Sequence, residues 1–201
     1  PTGVGTFYSK GELTALSETC HKYGLYLFLD GARLGYGLAA PDNDLTLPEI
    51  AALCDVFYIG GTKVGALFGE AVVIKNPELA QDFRYLIKQN GGMLAKGRLL
   101  GLQFDALFTD GLYQVISAHA IAMAEKLREA FTAKGYTYLA PNRTNQIFVI
   151  VPDAHLAKIS EQFEYSYDQR IDATHSCVRF CTGWATREEN VDALIRCVEK
   201  L

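Results

Sequence analysis

The sequence lacks most of the features that mark a membrane, metal or nucleic-acid protein. No apolar run in its 201 residues approaches the ~20 residues that a spanning helix needs. Its five cysteines (Cys20, Cys54, Cys177, Cys181, Cys197) are odd in number and scattered, with no CxxC pair and no Cys/His group at zinc spacing. They are expected to be free thiols in a reducing cytoplasm, packed as small apolar residues, and no metal site is expected. A net charge of −4 gives no electrostatic reason for a nucleic-acid or anionic-membrane partner. Internal repeats and low-complexity segments are lacking too. The opening Pro1-Thr2-Gly3-Val4-Gly5-Thr6 has neither an initiator methionine nor a signal-peptide pattern, and is expected to come from the middle of a larger chain.

What is present reads as a soluble globular protein, with about half the residues apolar and moderate charge. Ser9-Lys10-Gly11-Glu12 has capping-box spacing and opens a helix to about Tyr23, with Gly24 as its stop. Leu25 to Leu29 is an unbroken apolar run closed by Asp30-Gly31, the pattern of a parallel strand buried on both faces. Thr46-Leu47-Pro48-Glu49 caps a second helix ending near Cys54. Val56 to Ile59 is a second buried strand, closed by Gly60-Gly61. Ala71 to Ile74 follows too soon for a helical crossover and is predicted to be antiparallel. Helical patterning then runs from Pro77 to Lys134, broken at Gly91-Gly92 and Gly111, with one long helix from Leu112 that Gly135 stops. Beyond it come a strand (Ile147 to Val151), a helix (His155 to Phe163), a strand (Val178 to Cys181) and a last helix capped by Thr186. Residues 1–134 are therefore expected to form an α/β layered domain, and residues 135–201 a small α+β domain.

Two strand ends carry the chemistry. One ends in Asp30-Gly31-Ala32-Arg33, the other in Gly60-Gly61-Thr62-Lys63. Open α/β sheets bind ligands outside the carboxyl ends of their strands, so an acid and a lysine delivered there can face one ligand. Alone, the Asp would serve as a turn or cap residue and the Lys as a solvated one. Together they match what pyridoxal 5'-phosphate (PLP) requires: a lysine for a Schiff base and a carboxylate to keep the pyridine nitrogen protonated.

The segment Leu27-Phe28-Leu29-Asp30-Gly31-Ala32-Arg33-Leu34 resembles the "HLDGAR" segment of the low-specificity L-threonine aldolases, relatives of the β-eliminating lyases within fold type I of the PLP enzymes. Gly60-Gly61-Thr62-Lys63 falls where that family has its Schiff-base lysine. Val178-Arg179-Phe180-Cys181-Thr182-Gly183-Trp184, followed by Glu188-Glu189-Asn190-Val191-Asp192, resembles its substrate-carboxylate segment, and Gly3 to Ser9 the segment before its DGAR strand. The resemblance implies that Lys63 carries the cofactor, Asp30 pairs with the pyridinium nitrogen and Ala32 packs on the ring. By the same resemblance Arg33 lies beside the cofactor oxygen and substrate, Thr62 touches the phosphate, and Arg179 holds the substrate carboxylate through its two-pronged guanidinium.

The sequence departs from the family at Lys88 to Arg98, where the arginine that should follow Met93 is displaced. None of the four histidines (His21, His119, His155, His175) sits in a family motif, and structural or surface roles are expected. The implied fold is an incomplete fold type I large domain, with a mostly parallel sheet and one antiparallel strand, joined to a small C-terminal domain. The implied reaction is retro-aldol cleavage of threonine or allo-threonine to glycine and acetaldehyde, in a cytoplasmic homodimer or homotetramer. β-Elimination or racemisation on the same residues stays open, as does a non-catalytic fragment or scaffold subunit. Alone, this stretch is expected to lack the strands and phosphate-binding loop of a competent enzyme.

Overall fold

The computed structural model describes residues 4–201. Gly3, the first residue of the Gly3–Ser9 segment, lies outside the described residues.

Helix α1 (Lys10–Lys22) opens with the capping box that the sequence predicts: the Ser9 hydroxyl accepts from the Glu12 N–H, and the Glu12 carboxylate accepts from the Ser9 N–H at 2.8 Å. Strand β1 is shorter than its apolar run, only Phe28–Leu29, and it pairs in parallel with β2 (Val56–Gly60). The expectation of burial on both faces fails here, since Phe28 is 58 % exposed and Leu25 and Tyr26 are exposed as well. β1 is the edge of its sheet among the described residues, so nothing covers its outer side. Between the two strands lie α2 (Leu34–Leu38), which the sequence reading did not anticipate, and α3 (Leu47–Leu53), whose Thr46/Glu49 capping box forms as expected. Strand β3 (Glu70–Ile74) pairs antiparallel with β2, as the short connection requires.

After a single 3-10 turn at Pro77–Ala80, the helices α4 (Phe83–Gln89), α5 (Arg98–Phe108) and α6 (Leu112–Ala133) follow. Gly111 and Gly135 bound α6 with left-handed backbone. The C-terminal part is a four-stranded antiparallel sheet in the order β4 (Thr137–Tyr138), β5 (Gln146–Pro152), β7 (His175–Cys181), β6 (Ser166–Arg170). Helices α7 (Asp153–Ile159) and α8 (Glu188–Glu199) complete it. Thr186 does not cap α8: the N-cap is Arg187, and the Thr186 hydroxyl accepts from the Gly183 N–H instead. Helix α7 also ends four residues before the expected Phe163.

Two cores form. Leu34, Tyr36, Phe57, Ile59 and Val64 fill the first, and Ile147, Val149, Val178, Phe180 and Leu194 the second. Helix α6 serves both: Tyr113, Ala120 and Ile121 face the first, Met123, Leu127 and Phe131 the second. At roughly 1.5 Å rise per residue its 22 residues are long enough to run along both.

Candidate active site

The parallel pairing of β1 and β2 delivers both strand ends to one edge of the sheet. Glycine is obligatory at the contact between them. A Cβ on Gly31 would lie 1.6 Å from the Tyr58 carbonyl oxygen, and one on Gly60 2.3 Å from that of Ala32. With no side chain at either position, the Asp30 and Lys63 turns can pack backbone to backbone.

Asp30 follows β1 directly. Its Oδ1 accepts from the Ala32 N–H at 3.0 Å and from the Tyr58 hydroxyl, which reaches it from the neighbouring strand. These two donors, Tyr58 foremost, hold the carboxyl below the usual Asp range, and the Lys63 charge adds to the effect. The Tyr58 phenol is pushed the other way, up to about 12, by burial and by the Asp30 carboxylate. Oδ2 of Asp30 accepts no hydrogen bond among the described residues. Ala32, the next side chain on this turn, is buried.

Lys63 sits in a tight turn after β2. The Val64 and Ala66 N–H groups both donate to the Gly61 carbonyl, at 2.9 and 3.0 Å, and the wholly buried Val64 anchors the turn. The Lys63 side chain stays exposed, and its amine has no hydrogen bond or ion pair among the described residues. Its carbonyl accepts from the Tyr36 hydroxyl. The Thr62 hydroxyl turns to the Gly69 carbonyl at 3.4 Å.

Arg33, Tyr36 and Lys63 line one open cleft of about 470 Å³, closed on the other side by Asn145 and the stretch Cys181 to Thr186. Arg33 and Cys181 both line it. The Cys181–Thr186 wall is pinned from behind. Asn145 Nδ2 donates to the Thr182 carbonyl at 2.6 Å, the Thr182 hydroxyl to the Ala120 carbonyl at 2.6 Å, and His119 Nε2 to the Thr186 carbonyl at 2.8 Å.

Arg179, on β7, borders an adjoining cavity that shares Cys181, Thr182 and Thr186 with the first. Its guanidinium stands over the Phe148 ring, 6.0 Å from the centroid, and donates to Gln146 Oε1 at 3.2 Å and to Ser166 Oγ at 3.4 Å. The β-ladder explains this arrangement: Phe148 and Ser166 are the registered partners of Arg179 on the two flanking strands. The structure thus gathers Arg33 and Lys63 in one cleft, Asp30 within electrostatic reach of Lys63, and Arg179 next door. Among the described residues no histidine lines this cleft: His21 meets Asp55, His155 meets Tyr136 and His175 meets Asp172.

Sequence reasoning missed Tyr36, Tyr58, Asn145 and Gln146, and within the Val178–Trp184 segment it gave a role to Arg179 alone. Tyr36 was open to inference, lying three positions after Arg33 on what proves to be a helix. Tyr58 was hidden by an apolar strand in which it passed as one more core side chain.

The architecture is that of the α/β fold type I. Solved structures agree: threonine aldolase from Leishmania major superposes with a TM-score of 0.97 at 42 % identity, over 99 % of this chain and 58 % of that one. A putative L-allo-threonine aldolase from Listeria monocytogenes, at 24 % identity and a TM-score of 0.76, shares the fold. The β-eliminating lyase family model matches residues 2–154, and the chain belongs to that family. Low-specificity L-threonine aldolase from Pseudomonas aeruginosa is 31 % identical over 97 % of this chain, and its counterpart from Pseudomonas sp. 32 % identical over 96 %. The chain spans just over half the length of these relatives, 56 % and 55 %.

Proposed function

We propose that this chain is part of a PLP-dependent enzyme that cleaves a β-hydroxy-α-amino acid, L-threonine or allo-threonine, into glycine and acetaldehyde. The observation that carries the reading is the pairing at one sheet edge of an acid held ionised and a lysine amine left without a partner. That donor set fits PLP: Asp30 Oδ2 is available to the ring nitrogen, and the Lys63 amine to the aldehyde carbon. PLP, when bound, supplies the electron sink that makes Cα–Cβ cleavage accessible. The named relatives, all threonine aldolases, support the choice of substrate.

In this reading Lys63 fixes the cofactor covalently and Asp30 keeps its ring nitrogen protonated. Ala32 would pack on one ring face, and the Thr62 hydroxyl, directed here to the Gly69 carbonyl at 3.4 Å, would turn to the phosphate. Arg33 stands beside the cofactor oxygen and the substrate. Arg179 receives the α-carboxylate, its guanidinium already oriented by Phe148, Gln146 and Ser166. The large, cofactor-binding domain would end near residue 134, with α6 shared between the cores, and residues 135–201 would form the small domain.

The active form in this reading is a homo-oligomer, a dimer or tetramer. Leu67, 85 % exposed, together with Phe68, Leu99 and Leu102, offers apolar area of the kind that partner subunits cover. A cytoplasmic location agrees with the five free cysteines, and no helix among the described residues is long and apolar enough to cross a membrane. The deciding experiment supplies the holo-protein with threonine and with serine. Glycine plus acetaldehyde from threonine supports the proposal, whereas pyruvate plus ammonia from serine, with no glycine from threonine, would assign it to β-elimination.

A further inference from the structure

Lys63 leaves the sheet through two glycines, Gly60 and Gly61, and glycine restricts the backbone less than any other residue. The direction of the Lys63 turn is therefore set by the bonds these two residues make. On the β1 side, the Gly60 N–H donates to the Gly31 carbonyl at 2.9 Å. The Gly61 carbonyl accepts from the Val64 and Ala66 N–H groups, the bonds that close the turn. The Gly61 N–H donates to Oε2 of Glu70 at 2.7 Å, a short bond of the kind that a charged acceptor makes.

A side chain takes this place because the β-ladder ends here. Gly60 and Glu70 are the last registered pair of β2 and β3. Gly69, just before β3, has left-handed backbone, with φ +91°. Its carbonyl oxygen comes close to Gly61, 2.6 Å from where a Cβ would stand, yet it accepts from the Thr62 hydroxyl at 3.4 Å and not from the Gly61 N–H. Gly61 is buried, and a buried N–H without an acceptor is costly. The Glu70 carboxylate, reaching over from the partner strand, supplies that acceptor. Tyr36 and Val64 hold the turn farther along, at the Lys63 carbonyl and at the residue after it. Among the described residues, Glu70 alone bonds the amide at which the turn begins.

We propose that Glu70 is a positioning residue for Lys63: its carboxylate, by holding the Gly61 N–H, fixes the two-glycine junction from which the lysine turn departs. The proposal rests on the functional reading above for what Lys63 does. Alanine at position 70 would remove the acceptor from an exposed side chain and leave the core untouched. Glutamine would keep an oxygen for the Gly61 N–H and lose only the charge.

Variants E70A and E70Q test the proposal with and without cofactor. In the cofactor-free form, E70A is expected to speed hydrogen exchange of the Gly61, Val64 and Ala66 amides by about tenfold, the scale of one bond to a charged acceptor, with unchanged far-ultraviolet circular dichroism. In the holo-protein, E70A is expected to release PLP several-fold faster, read by the loss of its protein-bound absorbance. E70Q is expected to stay close to the unsubstituted protein in both readouts. Unchanged amide exchange in E70A would overturn the proposal, and so would unchanged PLP release from a variant whose Gly61 amide had been freed. Equal losses in E70Q and E70A would make the charge and not the bond the cause, and would overturn it too. Should E70A fail to fold, the Gly61 amide proton decides: a downfield NMR shift as Glu70 ionises, absent in E70Q, supports the bond, and no shift overturns it. A protein that bound no PLP would overturn the functional reading, and the three amides would still decide whether Glu70 holds the Lys63 turn.

Discussion

Substituting Tyr58 by phenylalanine removes one atom, the hydroxyl that donates to Asp30 Oδ1. The ring keeps its place beside Phe28, 6.0 Å between centroids, so packing is nearly conserved. A hydrogen bond to a charged group contributes about 1.5–3 kcal/mol. Asp30 is open to solvent, and water replaces part of what is lost, so about 1 kcal/mol is the expected cost. Losing that donor raises the Asp30 pKa. The sign follows from linkage. Asp30 has a depressed folded-state pKa, so its contribution to stability is fully present above the unfolded value and is lost as pH falls through the folded one. In Y58F the contribution is smaller and its loss is complete at a higher pH, and the acid limb of PLP affinity moves up with it. Carboxyl carbon NMR of the cofactor-free protein measures the Asp30 titration, and equilibrium dialysis measures PLP affinity against pH. An Asp30 titration that stayed where it was, or moved down, would refute the assignment of Tyr58 as its principal donor.

Replacing Arg179 by lysine keeps the charge and loses the fork that Gln146 and Ser166 orient. KM for threonine is expected to rise by roughly ten- to a hundredfold, from about 1.5–3 kcal/mol of charge-assisted bonding, with kcat less affected; an unchanged KM would transfer the carboxylate to another residue, Arg33 first. Phe131→Ala empties a fully buried position between Tyr136 and Phe180, whose rings lie 6.0 and 5.4 Å away. Urea denaturation is expected to show a loss of about 3–5 kcal/mol, and less than 1 kcal/mol would mean that α6 does not pack on the second sheet as described.

Much of this fold was legible because its signals are local. The Ser9/Glu12 and Thr46/Glu49 capping boxes, and the Gly111 and Gly135 boundaries of α6, depend only on neighbouring residues. The antiparallel β3 followed from a connection too short for any other pairing. What escaped depends on partners distant in sequence. The Ser166–Arg170 strand is exposed throughout and carries no apolar alternation, so only its pairing with β7 reveals it. Burial of Leu25 to Leu29 could not be read from hydrophobicity, because an apolar run specifies what a strand prefers and not whether a neighbour arrives to cover it. At the site, Asp30, Arg33, Lys63 and Arg179 stood out through charged side chains next to glycine or in a strand of distinctive motif. Tyr36 and Tyr58 act through hydroxyl groups that reach 27 and 28 residues along the chain, a distance that no local pattern encodes.

The central claim is that Lys63 is the residue to which the cofactor is bound. Borohydride reduction of the holo-protein followed by peptide mass mapping tests it most directly, with Lys63→Ala treated in parallel. The account predicts the pyridoxyl mass on the peptide containing Lys63, no such mass anywhere in Lys63→Ala, and loss of multiple turnover in that variant. Label on a different lysine, or normal turnover in Lys63→Ala, would contradict it.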